Sequence, residues 1–120
     1  MFVKTLDDCA TIVAGDNTIL KEILHPDKAD LAIRYSLAHA VVPPGTASLQ
    51  HKLTTSEVYY VLSGQGEMHI DAETQTVAAN DTVYIKPGAV QWIENTGNTP
   101  LAFLCIVDPP WREEDEEVLE

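Results

Sequence analysis

Two corners constrain this chain more than any other feature: VVPPG at 41–45 and YIKPG at 84–88. In each, proline and glycine directly follow an apolar run. Proline cannot donate to a sheet ladder, and glycine gives the backbone the freedom to turn. Corners of this kind, spaced between short alternating runs, point to an all-β chain whose strands fold back onto a facing sheet. The alternation predicts strands over 18–24, 32–42, 48–53, 57–63, 67–70, 74–78, 82–85, 90–94 and 101–107, with LSGQG at 62–66 as a turn. About nine strands are more than one flat sheet comfortably holds in so small a protein, so closure into a barrel or two-sheet sandwich is expected. Only the two ends read as helical, and weakly.

At 120 residues the chain is long enough for one core and too short for two ordinary domains. The boundaries expected are a single barrel over 1–110 and an acidic tail over 111–120. No apolar run approaches the roughly 18 residues of a membrane helix, so no membrane partner is expected. The start, MFVKTLDDCA, places two aspartates where an export signal would be apolar, and Cys9 and Cys105 fit no metal spacing. A cytoplasmic protein with reduced thiols is the expectation. Nineteen acidic against seven basic residues give a formal charge of -12, which would repel a phosphate backbone, so no nucleic acid is expected either. The acidity peaks in WREEDEEVLE, which reads as a solvated tail or, alternatively, a flap over the barrel mouth anchored by Trp111.

Within this rhythm Gly45, His51, Glu57 and Gly64 fall at the spacing of the first cupin motif: glycine, five residues, histidine, one residue, histidine, three or four residues, glutamate, six residues, glycine. Leu53 stands where the second histidine would be. In NDTVYIKPGAVQWIEN, Gly88 and Asn95 match the second motif, while Asn80, Lys86 and Gln91 replace its glycine, first proline and histidine. The sequence therefore resembles the cupins, and the resemblance implies a small jelly-roll β-barrel of two antiparallel sheets. It also implies a divalent metal held in the lumen. Only His51 and Glu57 carry over directly as ligands, Gln91 occupies a ligand position with different chemistry, and Leu53 cannot ligate. Short cupins are commonly homodimers, and Val58, Tyr60 and Trp92 are the outward apolar residues that would suit such an interface.

Three readings of the site remain open. In the first, His51, Glu57 and Gln91 bind zinc, manganese, iron or nickel, and Tyr59 moves a proton in an isomerase- or lyase-like reaction on a small polar substrate. In the second, the barrel binds a small polar molecule such as a sugar or organic acid without metal, with Tyr59 or Tyr84 helping His51, Glu57 and Gln91 to hydrogen-bond it. In the third the polar lumen is structural. His39 shares strand parity with Tyr35 and Leu37, and these would line the pocket with Leu53 if that face is the lumen. No nucleophile is signalled.

Overall fold

The computed structural model describes residues 1–119. Eleven strands run in chain order: β1 (Thr11–Val13), β2 (Ile19–Leu24), β3 (Ser36–Val42), β4 (His51–Leu53), β5 (Ser56–Ser63), β6 (Gln65–Ile70), β7 (Glu73–Ala78), β8 (Thr82–Ile85), β9 (Gln91–Asn95), β10 (Leu101–Asp108) and β11 (Glu116–Val118). They form a six-stranded sheet, ordered β1-β2-β3-β10-β5-β8, and a five-stranded sheet, ordered β11-β4-β9-β6-β7. All pairings are antiparallel. The two facing sheets are the closure that the corners and strand count predict, and their arrangement is the jelly-roll barrel that the resemblance implies.

The core fills the space between the sheets because inward positions recur every second residue. Val61, Ile93, Leu101 and Phe103 are fully buried, and Val42, Met68 and Ile85 nearly so. Tyr59 packs its ring on Phe103, with centroids 4.4 Å apart. The corners do the expected work. Gly64 turns β5 into β6 at φ 87°, and a Cβ there would meet the Pro100 carbonyl oxygen at 2.6 Å, so only glycine fits. Asn95, the last residue of the second motif, has a structural task. Its side-chain amide donates to the Val42 and Thr99 carbonyls and its Oδ1 accepts from the Gly97 N–H, which ties β9 to the turn leading into β10.

The predicted elements differ from the observed ones mainly at the ends. The strand expected over 32–42 begins only at Ser36. Where weak helix was expected, there are single 3-10 turns at Leu6–Asp8 and Glu113–Asp115, each followed by a short strand. The acidic run is no free tail through 116–118: Glu116, Glu117 and Val118 pair with Leu53, Lys52 and His51, so β11 forms one edge of the five-stranded sheet. The chain is guided there by three anchors. The Trp111 N–H donates to Ser36 Oγ at 2.9 Å, His25 Nε2 donates to the Trp111 carbonyl at 2.7 Å, and Arg112 grips the Asp27 carboxylate with two nitrogens.

Candidate functional site

The lumen encloses a cavity of about 230 Å³. One end is closed by strands of the two motifs. Here β5 and β9 face each other across the barrel, and strand alternation turns Glu57, Tyr59 and Gln91 inward together. The Tyr59 hydroxyl donates to Gln91 Oε1 at 2.8 Å, and Gln91 Nε2 donates to Glu57 Oε1 at 2.9 Å. The directions are fixed, since an amide oxygen can only accept and an amide nitrogen only donate. One lone pair of Gln91 Oε1, one N–H of Gln91 Nε2 and the Tyr59 proton are therefore engaged. The second oxygen of Glu57 makes no hydrogen bond among the described residues, although the residue is only 7% exposed and lines the cavity. Burial, opposed by the Gln91 hydrogen bond and reinforced by the Asp16 and Glu116 carboxylates, pushes the Glu57 carboxyl up to about 8. Burial likewise raises the Tyr59 hydroxyl and the Cys105 thiol well above their usual ranges.

The other end of the cavity is built by the chain's two extremities. Asp16 sits in the turn between β1 and β2, where Asn17 adopts a positive φ of 71°. Asp16 Oδ1 accepts from the Thr18 N–H at 3.1 Å and the Thr18 hydroxyl at 2.7 Å, which leaves Oδ2 facing His51 Nε2 at 3.5 Å. His51 is 2% exposed, and its Nδ1 lies 2.7 Å from the Leu49 carbonyl. A carbonyl only accepts, so Nδ1 carries a proton and Nε2 is the nitrogen turned to the cavity. Glu116 enters from β11. Its Oε1 lies against the Gly15 backbone, 2.9 Å from where a Cβ at Gly15 would stand. Burial raises the Glu116 carboxyl, and His51 opposes the rise. His51 is paired directly with Gln91 across β4 and β9, so the two sets of polar groups adjoin, and the rest of the lining is largely apolar, with Leu20, Ala38, Ala40, Leu53, Phe103 and Val107.

Of the residues singled out from sequence, His51, Glu57, Tyr59 and Leu53 line this cavity, and Gln91 is fully buried behind Glu57. The other three lie elsewhere. His39 is on the outer face of β3, because Ser36, Ala40 and Val42 are the buried residues there and strand parity sends 37, 39 and 41 outward. Alternation could not choose between these faces, since Leu37 and Val41 are as apolar as Ala38 and Ala40. Tyr35 precedes β3 and is 40% exposed, and Tyr84 is 64% exposed opposite Val58 on the outside of the six-stranded sheet. Trp92 points outward as parity demands, but on the other sheet from Val58 and Tyr60, with its ring stacked on His69 at 3.6 Å. Sequence reasoning missed Asp16 and Glu116. Asp16 lies between predicted strands, and Glu116 is one of five consecutive carboxylates at 113–117.

Of the proposed ligand set His51, Glu57 and Gln91, the Gln91 Oε1 atom already accepts one hydrogen bond, from Tyr59. Among the described residues, no group of three or more His, Cys, Asp or Glu side chains could hold an ion. The arrangement instead suits hydrogen bonding to a small guest with an apolar side.

A two-sheet antiparallel barrel with paired motif strands facing a polar lumen defines a class, the jelly-roll barrels that hold small ligands. Residues 38–107 match the family model described as the cupin domain, and the chain belongs to that family. An uncharacterised protein of Methanocaldococcus jannaschii is 43% identical over 120 residues, covering 98% of this chain and 95% of its own length. The oxalate-binding protein of Thermotoga maritima is 38% identical over 88 residues, 72% of this chain and 68% of that protein. Among solved structures, a predicted oxalate decarboxylase of Thermotoga maritima superposes with a TM-score of 0.80 over 90% of this chain and 99% of its own, at 24% identity, a likeness of fold alone. Among the described residues no helix is long and apolar enough to cross a membrane.

Proposed function

We propose that this cupin is a binding barrel that holds one small polar molecule in its lumen without a resident metal. One observation carries the reading: the Tyr59–Gln91–Glu57 chain holds the Gln91 amide by hydrogen bonds at both its ends, beside a cavity of about 230 Å³ that Glu57 and His51 line. The cavity is below the ~300–1,000 Å³ of drug-sized pockets, so the guest is small. Glu57 and His51 would hydrogen-bond it, and Tyr59 would act by holding Gln91 in place. The relative named for oxalate binding supports a small polar guest as the class. The test is thermal unfolding against polyols, hydroxy acids and amines with EDTA present throughout. A saturable stabilisation that survives chelation and is lost in Glu57→Ala supports the reading, and stabilisation by transition metals alone sinks it.

A metal-dependent isomerase- or lyase-like activity is the second reading. The observation favouring it is the His51 Nδ1–H bond to the Leu49 carbonyl, the kind of outer contact that fixes a ligating imidazole. A near-stoichiometric metal in the purified protein, absent from Glu57→Ala, would establish it.

For assembly we propose a homodimer through the outer face of the six-stranded sheet, where Tyr60, Leu62, Tyr84 and Ile106 are 37%, 42%, 64% and 38% exposed. Light scattering on Ile106→Glu is expected to give a monomer. An unchanged mass in that variant, or a monomeric parent protein, would refute the interface.

A further inference from the structure

The mouth of the cavity has a charge problem that its own residues leave unsolved. Asp16, Glu22, Glu57 and Glu116 line the cavity, and the one lysine among the lining residues, Lys28, is bound to Glu22. Even if His51 carries a proton, Asp16 and Glu116 outnumber it. Asp16 is 7% exposed, and carboxylates buried to that degree require a cation or several donors. Asp16 Oδ1 has its two donors in Thr18, but Oδ2 meets only His51 Nε2 at 3.5 Å. That gap is well beyond the ~2.7–2.9 Å of a charge-assisted hydrogen bond. The His51 ring, which lines the cavity, makes its hydrogen bond through Nδ1, and the contact of Nε2 is the Asp16 Oδ2 atom at 3.5 Å. Beside them, Glu116 Oε1 lies on the Gly15 backbone, next to Asp16.

We infer that the lumen takes a small organic cation, with a primary ammonium group seated among Asp16, His51 and Glu116 and a short apolar chain lying along Leu20, Ala38, Leu53 and Phe103. The inference deepens the metal-free reading above and rests on it. Three features choose this guest. An ammonium has three N–H donors, and the mouth offers three acceptors: Asp16 Oδ2, the lone pair of neutral His51 Nε2 and the Glu116 carboxylate. A bare divalent ion needs its donors within ~2.0–2.3 Å of one point, and no such group of side chains exists among the described residues. An ammonium reaches acceptors ~2.8 Å away and so tolerates the wider spacing. Finally, the apolar residues of the lining, Leu20, Ala38, Leu53 and Phe103, would find no contact with a bare ion, while a free dicarboxylate such as oxalate would meet Asp16 and Glu116 as like charges.

The experiment is calorimetric titration of the full chain at pH 7 in EDTA with n-butylammonium, 1-butanol, butyrate and oxalate, and separately with manganese chloride in the absence of EDTA. Saturable n-butylammonium binding is expected, about tenfold or more tighter than 1-butanol, with no heat from butyrate or oxalate. Asp16→Asn and Glu116→Gln should each weaken n-butylammonium about tenfold or more and leave 1-butanol unchanged. Glu116 lies on an edge strand, so its variant keeps the test alive if Asp16→Asn fails to fold. Equal binding of 1-butanol and n-butylammonium would overturn the inference while the metal-free pocket stands. Tighter butyrate or oxalate binding would overturn it in favour of an anion site. Tight manganese binding, with none of the four organic probes bound in EDTA, would overturn both readings.

Discussion

Two adjoining sets of polar groups in the lumen are built on different principles. The inner end comes from β5 and β9, within the family's two motifs, and is linked by hydrogen bonds: Tyr59 donates to Gln91, and Gln91 donates to Glu57. The outer end adds to His51 of β4 two residues from outside the matched region of 38–107, Asp16 from the turn before β2 and Glu116 from β11. Asp16 and His51 face each other at 3.5 Å, and Glu116 is held by the Trp111 side chain. A closed chain of hydrogen bonds fixes geometry and contributes rigidity. An open set of acceptors instead leaves something for a guest to complete. The contrast suggests that the inner end holds the barrel's shape while the outer end selects what enters.

The largest effect expected from this contrast is on the pH dependence of stability. Glu57 has an ordinary value of 4.5 and is pushed up to about 8 in the fold. The folded state therefore keeps a proton that the unfolded chain releases. The stabilisation is fully present below pH 4.5 and is lost as pH rises through about 8. The loss is on the order of 3–5 kcal/mol at ~1.4 kcal/mol per pH unit. Chemical denaturation from pH 5 to 8.5 should show this fall in the parent protein and a much flatter profile in Glu57→Gln. Parallel profiles would mean that the inner end is wetter than its burial indicates.

Next in size is Gln91→Leu, which fills the space but strands the Tyr59 hydroxyl and Glu57 Oε1. Two buried groups left without partners should cost about 2–4 kcal/mol in urea unfolding. A near-neutral result would remove the inner chain as a source of rigidity. Removing residues 114–120 deletes β11 and Glu116 together. Because β11 makes only a three-residue edge pairing with β4, the cost should be about 1–2 kcal/mol. Amide exchange should rise at His51–Leu53 and stay unchanged in β5 and β10. Uniform exchange across the sheets would instead make the tail integral to the core. The smallest effect is expected from Arg112→Ala. The Arg112–Asp27 pair, which holds the Arg112 guanidinium above and the Asp27 carboxyl below their usual ranges, is exposed to solvent. Its loss should leave the melting temperature unchanged.

Much of this molecule was legible beforehand. The alternation of β5, which buries Glu57, Tyr59 and Val61, could be read from residues two apart, whereas the pairing of His51 with Gln91 in neighbouring strands of one sheet could not, because register between strands leaves no trace in alternation. The corners at 41–45 and 84–88 gave the closure. His39 and Tyr84 were misplaced because their strands carry apolar residues on both faces, so periodicity had no inward side to report. Gln91 was legible as a lumen residue, but its hydrogen bonds to Tyr59 and Glu57 were not, because they join strands distant in sequence.

Short-range patterns determined what each stretch could become, since strand alternation and proline–glycine corners act through neighbours in the chain. They settled the all-β barrel and the family's residues within it. What lines the lumen was decided by residues brought together from far apart: Asp16 near one terminus, His51 in the middle and Glu116 near the other. No local pattern records that meeting, because a carboxylate in a turn and a carboxylate in an acidic run look like surface until long-range strand pairing turns them inward. Their energetics also depend on burial, and burial belongs to the closed barrel as a whole.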